Sequence, residues 1–316
     1  MLRSRRLVTL IFCILLGAVA HVSYGLPATN VVAWGANDPE VDRGQCNVSD
    51  GIFDAIAAGS FHSLALHVDG TLAAWGSNNW GQCTVPSGTF IAIAAGSSYS
   101  VSLATDRTLM AWGNNQAGQC NIPSGTFAAV AAGGMHGLGI RTDGTLSAWG
   151  DNSNGQCNVP SGDFTAISAG GLHCLGIQSD GTLAAWGWNY YGQCNTPVGT
   201  FKAIAGGGYH SLGIRSDGTL AAWGDNSFGE CNVPTGRFSA IVAGDTWSLA
   251  LRTDGRLVAW GDNQWGQGDV PSGIYNAIAA GYSHGLAIQA IPEPSSLLAL
   301  GGGLLGLAGL LGRRRR

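Results

Sequence analysis

A Trp-Gly pair returns at Trp34, Trp75, Trp112, Trp149, Trp186, Trp223 and Trp260, first after 41 residues and then every 37. A second landmark, the glycine of Ala-Gly-x-x-His, falls at Gly59, Gly96, Gly133, Gly170, Gly207, Gly244 and Gly281, always 37 apart. A unit of this size cannot bury its own apolar face, so a chain with this period must pack its seven copies side by side. Within one copy, Phe164 to Gly170, Leu172 to Ile177 and Thr182 to Gly187 are short apolar runs of strand length. Asp180-Gly181 between the last two reads as a two-residue hairpin turn with positive φ. The turn recurs at Asp69, Asp143, Asp217 and Asp254, with Asp106-Arg107 as the imperfect copy. The pattern predicts about four short antiparallel strands per period, the content of one propeller blade. Helices are expected to be almost absent between residues 26 and 290.

The repeat does not start and stop at a blade edge. Asn30 to Gly35 is the second half of a copy, and Ile274 to Gln289 is a first half with nothing after it. Joining them completes a seventh blade and closes the ring, which removes the exposed sheet edges that invite aggregation. The expected fold is all-β: a single seven-bladed β-propeller over residues 26–290, whose last blade is closed by strands from both termini. The order Ala-Gly-x-x-His, Asp-Gly, Trp-Gly, Gly-Gln resembles the regulator of chromosome condensation repeat family over about residues 31–289. Val31-Val32-Ala33-Trp34-Gly35 and the Val-Pro after Gly-Gln are similar to the secreted, propeller-type β-lactamase inhibitor branch. The nuclear members that exchange nucleotide on a small GTPase use a protruding wedge. Six of the seven copies here have no residues to spare for one, so exchange activity is not carried over.

Both ends are set apart from the repeats. Arg3, Arg5 and Arg6 precede the uncharged run Leu7 to Ala20, the layout of a signal peptide over residues 1–25, with cleavage after Ala20 or after Gly25. Residues 291–316 contain Pro292-Glu293-Pro294, the uncharged stretch Ser295 to Gly312, and Arg313 to Arg316. That stretch would form a transmembrane helix about 27 Å long, enough for a thin bilayer, with the arginines on the cytoplasmic side. The tail resembles the PEP-CTERM sorting signal of Gram-negative bacteria. The resemblance implies passage through the secretion machinery across the inner membrane and recognition by an exosortase. It also implies at least transient membrane attachment, and a destination at the cell surface or in the extracellular, biofilm-type matrix.

Charge excludes one class of partner. The formal net charge is -4, but the basic residues at the two ends hide a propeller body near -10. Such a body repels phosphate backbones, so no nucleic acid is expected. Cys46, Cys83, Cys120, Cys157, Cys194 and Cys231 share one register. Equivalent points on neighbouring blades lie beyond the roughly 7 Å reach of a disulfide, and cannot gather round one zinc. They are expected to be small buried hydrophobes, while Cys174, out of that register, leaves a bridge to Cys157 or Cys194 open. His62, His136, His173, His210 and His284 share another register with Tyr99 and Trp247, which points to packing and hydrogen bonding rather than to metal. The acidic residues Asp38, Glu40, Asp42, Asp50 and Asp54 lack the glycine and glutamate positions of a calcium loop and read as solvated. Gly281-Tyr282-Ser283-His284-Gly285 copies a nucleophile elbow, but inside a β repeat the match is coincidental. No metal or cofactor is expected.

Aromatic residues outside the Trp-Gly register supply the candidate binding site. Trp80, Tyr191, Phe228 and Trp265 stand before Gly-Gln or Gly-Glu, and Trp188 and Tyr190 lie just upstream of Tyr191. All six belong to loops on one face of a propeller, where such side chains suit protein hot spots or sugar stacking. The four in-phase residues are expected to pack against the neighbouring blade, with Trp188 and Tyr190 exposed. The sequence thus predicts an exported, non-enzymatic surface or matrix protein that binds a protein or a polysaccharide. The alternatives are a secreted enzyme inhibitor, by the resemblance, and a polysaccharide-active enzyme with a carboxylate pair in the central funnel. For the latter, only Asp38 to Asp42 break the symmetry of the blades.

Overall fold

The computed structural model describes residues 29–290. They form twenty-one strands, numbered β1 to β21 in chain order, in seven three-stranded antiparallel sheets. In the first blade, β2 (Phe53–Ala58) is paired with β3 (His62–His67), which is paired with β4 (Leu72–Gly76). The triplet repeats as β5 to β19 in blades spanning residues 90–113, 127–150, 164–187, 201–224 and 238–261. The seventh blade is built from β20 (Tyr275–Ala280), β21 (His284–Gln289) and β1 (Val31–Gly35). Here β1 takes the β4 position, running from Val31 opposite Ile288 to Gly35 opposite His284. Gln289 N–H donates to Asn30 O at 2.8 Å, so the two ends of the ring are hydrogen-bonded to each other.

Burial explains the composition of each strand. The middle strand of every blade is packed on both sides, so His62, Ser63, Leu64, Ala65 and Leu66 are all buried and no polar alternation appears. Inner strands crowd a central channel, and the segments that line it are mostly Ala and Gly with Ile or Val, as in Ile56-Ala57-Ala58-Gly59. The apolar clusters lie between blades rather than within them. Val101 and Leu103 pack on Phe127, Val130 and Trp149 of the next blade, and Leu249 and Leu251 on Tyr275 and Ile278. Each such side chain contributes about 1.5–3 kcal/mol through burial, which makes the blade boundary the unit of stability.

Two sequence expectations are corrected. Each blade has three strands, not about four: after β4 the chain makes turns, with Thr84 N bonded to Gly81 O and Val85 N to Cys83 O. The proline that follows, Pro86 in this copy, has no N–H to give to a ladder. The Asp-Gly hairpins are three-residue connections. In the first, Gly70 N bonds to His67 O and His67 N to Thr71 O, and only Gly70, at φ 85°, has positive φ. Asp69 instead accepts from Thr71 N and Thr71 Oγ1 at 2.9 and 2.6 Å, fixing the turn with its side chain.

Strand direction sorts the loops onto two faces. The Ala-Gly-x-x-His turns and the loops after Trp-Gly share one end of the ring, here the loop face. The Asp-Gly hairpins share the other, the hairpin face, together with Asn30 and Ala290. The expected signal peptide and C-terminal transmembrane helix lie outside the described residues. Among those described, no helix is long and apolar enough to cross a membrane.

Candidate binding face

The loop face is held rigid by bonds that cross each blade boundary. The Gln of Gly-Gln is buried, and its Oε1 accepts the backbone N–H two residues before it, as from Trp80 to Gln82 at 2.9 Å. Its own carbonyl projects into the next blade, where Gln82 O receives Trp112 Nε1 and Ser100 Oγ, both at 2.9 Å. All seven Trp-Gly tryptophans donate in this way at 2.8–3.0 Å, Trp34 to Gln267 O closing the ring. Glu230 replaces Gln once, and burial raises its pKa.

The histidine register completes the latch. His62 Nε2 meets Ser100 Oγ at 3.0 Å, His173 meets Ser211 and His210 meets Ser248 at 2.9 Å, and His284 meets Ser63 at 3.0 Å. Each serine has one hydrogen, already given to a Gln or Glu carbonyl, so the imidazole must donate and carries its proton on Nε2. Nδ1 is left buried with no partner, and burial lowers the five pKa values to about 4 for His62, His136 and His210 and about 3 for His173 and His284. Cys174 stands in the serine register, accepting from His136 at 3.1 Å and bonding to Gln156 O at 3.4 Å. It is a free thiol, not half of a bridge to Cys157 or Cys194.

Where the register holds Tyr99 or Trp247 instead, the next blade has Gly137 or Gly285 in place of Ser. Tyr99 Oη then donates to His136 O and Trp247 Nε1 to Gly281 O at 3.1 Å. The two glycines admit the indoles of Trp149 and Trp34 over their Cα atoms, where a side chain would collide. The other cysteines are half-buried rather than fully buried, and most give S–H to a carbonyl six residues back, as Cys83 to Ser77 O at 3.2 Å. Burial pushes the Cys46 and Cys83 thiols up to about 11, which makes them poor nucleophiles.

On this scaffold four aromatic rings gather at one boundary of the loop face. Trp188 stacks on Tyr190 with centroids 5.8 Å apart and planes at 13°, and meets Tyr191 and Tyr209 edge-on at 5.5 and 5.2 Å. Tyr190 is 78% exposed, and Trp188 is half-buried beneath it. Trp80, Tyr191 and Phe228 are 48%, 45% and 55% exposed, standing out from the face rather than packing between blades, while Trp265 is half-buried. Tyr209 was not singled out from the sequence. It occupies the variable position before the His, Tyr or Trp of that register, filled elsewhere by Phe61, Ser98, Met135, Leu172, Thr246 and Ser283. Its signal is positional: that turn and the Trp-Gly loops end on the same face.

Residues 53–82, 90–119, 127–156, 164–193, 201–230 and 238–267 match the family model for the Regulator of chromosome condensation (RCC1) repeat. The chain belongs to the RCC1 repeat family. The seventh RCC1 blade is missing from the match because its strands come from opposite ends of the sequence. Residues 290–316 match the PEP-CTERM protein-sorting motif, which marks the chain for export and membrane-associated sorting as found in Gram-negative bacteria. No curated protein matches the chain. Among solved structures it is similar to Prp20p from Saccharomyces cerevisiae, described with its binding properties to Gsp1p and histones. The identity is 16% and the TM-score 0.70, over 86% of this chain and 94% of that one. Human WBSCR16 is 19% identical with a TM-score of 0.68, over 78% and 88%. The receptor kinase CR4 ectodomain of Physcomitrella patens is 22% identical with a TM-score of 0.64, over 72% and 68%. At these identities the likeness is one of fold.

The RCC1 ring encloses a channel of about 390 Å³ whose one charged lining residue is Asp245. Asp38 and Asp42 do not reach it. They lie in the loop after β1, where Asp38 Oδ1 caps Glu40 N and Asp42 Oδ1 caps Gly44 N, both at 2.8 Å. Among the described residues no three His, Cys, Asp or Glu side chains come together as metal ligands.

Proposed function

We propose that this is an exported, non-catalytic RCC1 propeller that captures a protein partner on its loop face. The observation that carries this reading is the cluster of exposed Tyr190, Tyr191 and Tyr209 around half-buried Trp188, held on rigid interblade latches. Contiguous exposed aromatic surface marks an interaction site, and Trp and Tyr are the side chains that dominate binding energy at protein interfaces. The five register histidines are committed to interblade bonds, and the channel offers Asp245 without a second carboxylate. Both facts favour binding over catalysis. The PEP-CTERM motif supports delivery to the cell surface or extracellular matrix: residues 1–25 would be removed as a signal peptide, and an exosortase would act at Pro292-Glu293-Pro294. Inhibition of a secreted enzyme would be one form of such capture.

The test is affinity capture from the exoprotein fraction with the wild-type chain and the Trp188→Ala/Tyr190→Ala variant, matrix polysaccharide being assayed in parallel. A protein retained by the wild type and lost by the variant is the expected result. Equal retention by both would rule out this cluster as the contact.

A further inference from the structure

The two faces of the ring differ in charge as well as in shape. Every strand has one end on each face, so the position of a side chain along its strand assigns it to a face. On the loop face the described residues include nine carboxylates and one base, Arg43; the remaining nine carboxylates share the hairpin face with all seven other lysines and arginines, from Arg107 to Arg256. Four of those bases have local roles. Arg141, Arg215 and Arg252 cover the rings of Phe127, Phe201 and Phe238 at 5.1–5.2 Å, and Arg256 pairs with Asp254 at 3.0 Å. That ion pair is the only one among the described residues. Arg43 gives its guanidinium to the carbonyls of Pro39, Glu40 and Asp42 in its own loop. Among the described residues, the carboxylates of the loop face therefore have no ion-pair partner.

They adjoin the aromatic cluster. Asp225 N–H bonds to Tyr209 O at 3.0 Å, and the Asp245 carboxylate lies against Gly208, next in the chain to Tyr209. Asp262 Oδ2 accepts from Thr246 Oγ1 at 3.3 Å, beside Asp245. Burial raises the pKa of the Tyr282 hydroxyl first, and the charges of Asp245 and Asp262 raise it further. Tyr282 in turn packs on Phe61 at 5.5 Å. The result is a continuous arc, Tyr190 to Tyr209, then three aspartates, then Tyr282.

We propose that the partner docked on this arc presents a lysine- or arginine-rich polypeptide segment. The proposal rests on the reading of the loop face as a protein-binding surface and adds the chemistry of what it binds. A neutral or acidic partner would bury Asp225, Asp245 and Asp262 without counter-charge, which disfavours its docking here. A cationic segment pairs with them, and its ammonium or guanidinium groups also lie favourably over the exposed tyrosine rings.

The probe is a fluorescent oligolysine of about ten residues, titrated into the full chain at about 50 and 500 mM salt. Binding at the lower salt, weakened at least about tenfold at the higher, is expected. Asp225→Asn/Asp262→Asn removes both charges while an amide oxygen still accepts from Ser227 and Gln264, and it should weaken binding by a similar factor, as should Tyr190→Ala. The hairpin-face pair Asp54→Asn/Asp163→Asn should leave it unchanged. Equal loss from both aspartate pairs would reduce the effect to net charge and overturn the proposal. So would absence of oligolysine binding by a chain that still captures a partner through Trp188 and Tyr190, an outcome that leaves the loop-face reading standing. Salt-insensitive binding of a neutral β-glucan oligosaccharide at Tyr190, without oligolysine binding, would replace the polypeptide with a sugar.

Discussion

Arg107 sits at φ 73°, in the place where the five neighbouring hairpins have glycine between 82° and 91°. An L-residue in this region costs about 1–2 kcal/mol, partly offset because arginine loses less backbone entropy than glycine on folding. The turn survives because Asp106 still accepts from Thr108 N and Oγ1 at 2.9 and 2.7 Å. Arg107→Gly should raise unfolding stability by about 1 kcal/mol in urea titration; no gain would show that this hairpin stores no strain. At this scale the sequence was only partly informative. Trp80, Tyr191 and Phe228 share a register that suggested burial, yet they protrude, because Gln82, Gln193 and Glu230 two residues later fill the interblade space and bond back to their N–H groups. Which of the two residues flanking the glycine turns inward depends on that side-chain bond, and spacing alone does not reveal it.

A blade boundary is defined by matched pairs, and two kinds alternate irregularly round the ring. Histidine is followed one blade on by Ser or Cys, and Tyr99 or Trp247 by glycine, so the pairing could have been read by comparing the repeats with one another. What the sequence could not supply was that residues 38 apart touch, and hence that these two registers should be compared at all. Tyr99→His alone leaves a cavity and a donor with no hydroxyl to meet; Gly137→Ser alone collides with the Trp149 indole. Each should destabilise, and the double variant should recover part of the loss, giving a coupling of about 1–3 kcal/mol in a double-mutant cycle. Additive effects would mean that the two registers do not act as a pair. The same comparison explains the missed hairpin length: Asp-Gly fits either turn, and the choice follows from the bond of Asp69 to Thr71, not from the dipeptide.

Five histidine latches spread over seven boundaries link the stability of the whole ring to pH. Each imidazole is neutral in the fold, with its pKa lowered by burial to about 4 or 3 from an ordinary 6.5. The unfolded chain takes up protons first, so the contribution is complete above about pH 6.5 and is lost as pH falls towards 4, at about 1.4 kcal/mol per pH unit for each group. Urea midpoints should therefore fall steeply between about pH 6.5 and 4.5, before the hairpin aspartates, whose pKa values lie below the usual carboxylate range, begin to matter. A flat profile across that window would contradict the neutral state of the five buried imidazoles. The seven-bladed ring itself was fully legible, since 37-residue spacing and two half-repeats leave no other closed arrangement.

The pairing of β1 with β21 brings Asn30 and Ala290 out together on the hairpin face. A propeller held by a segment after Ala290 would therefore be oriented by its own topology. Its arginine-bearing side would be turned towards the anchoring surface, and Tyr190 with its neighbouring aspartates would point directly away from it.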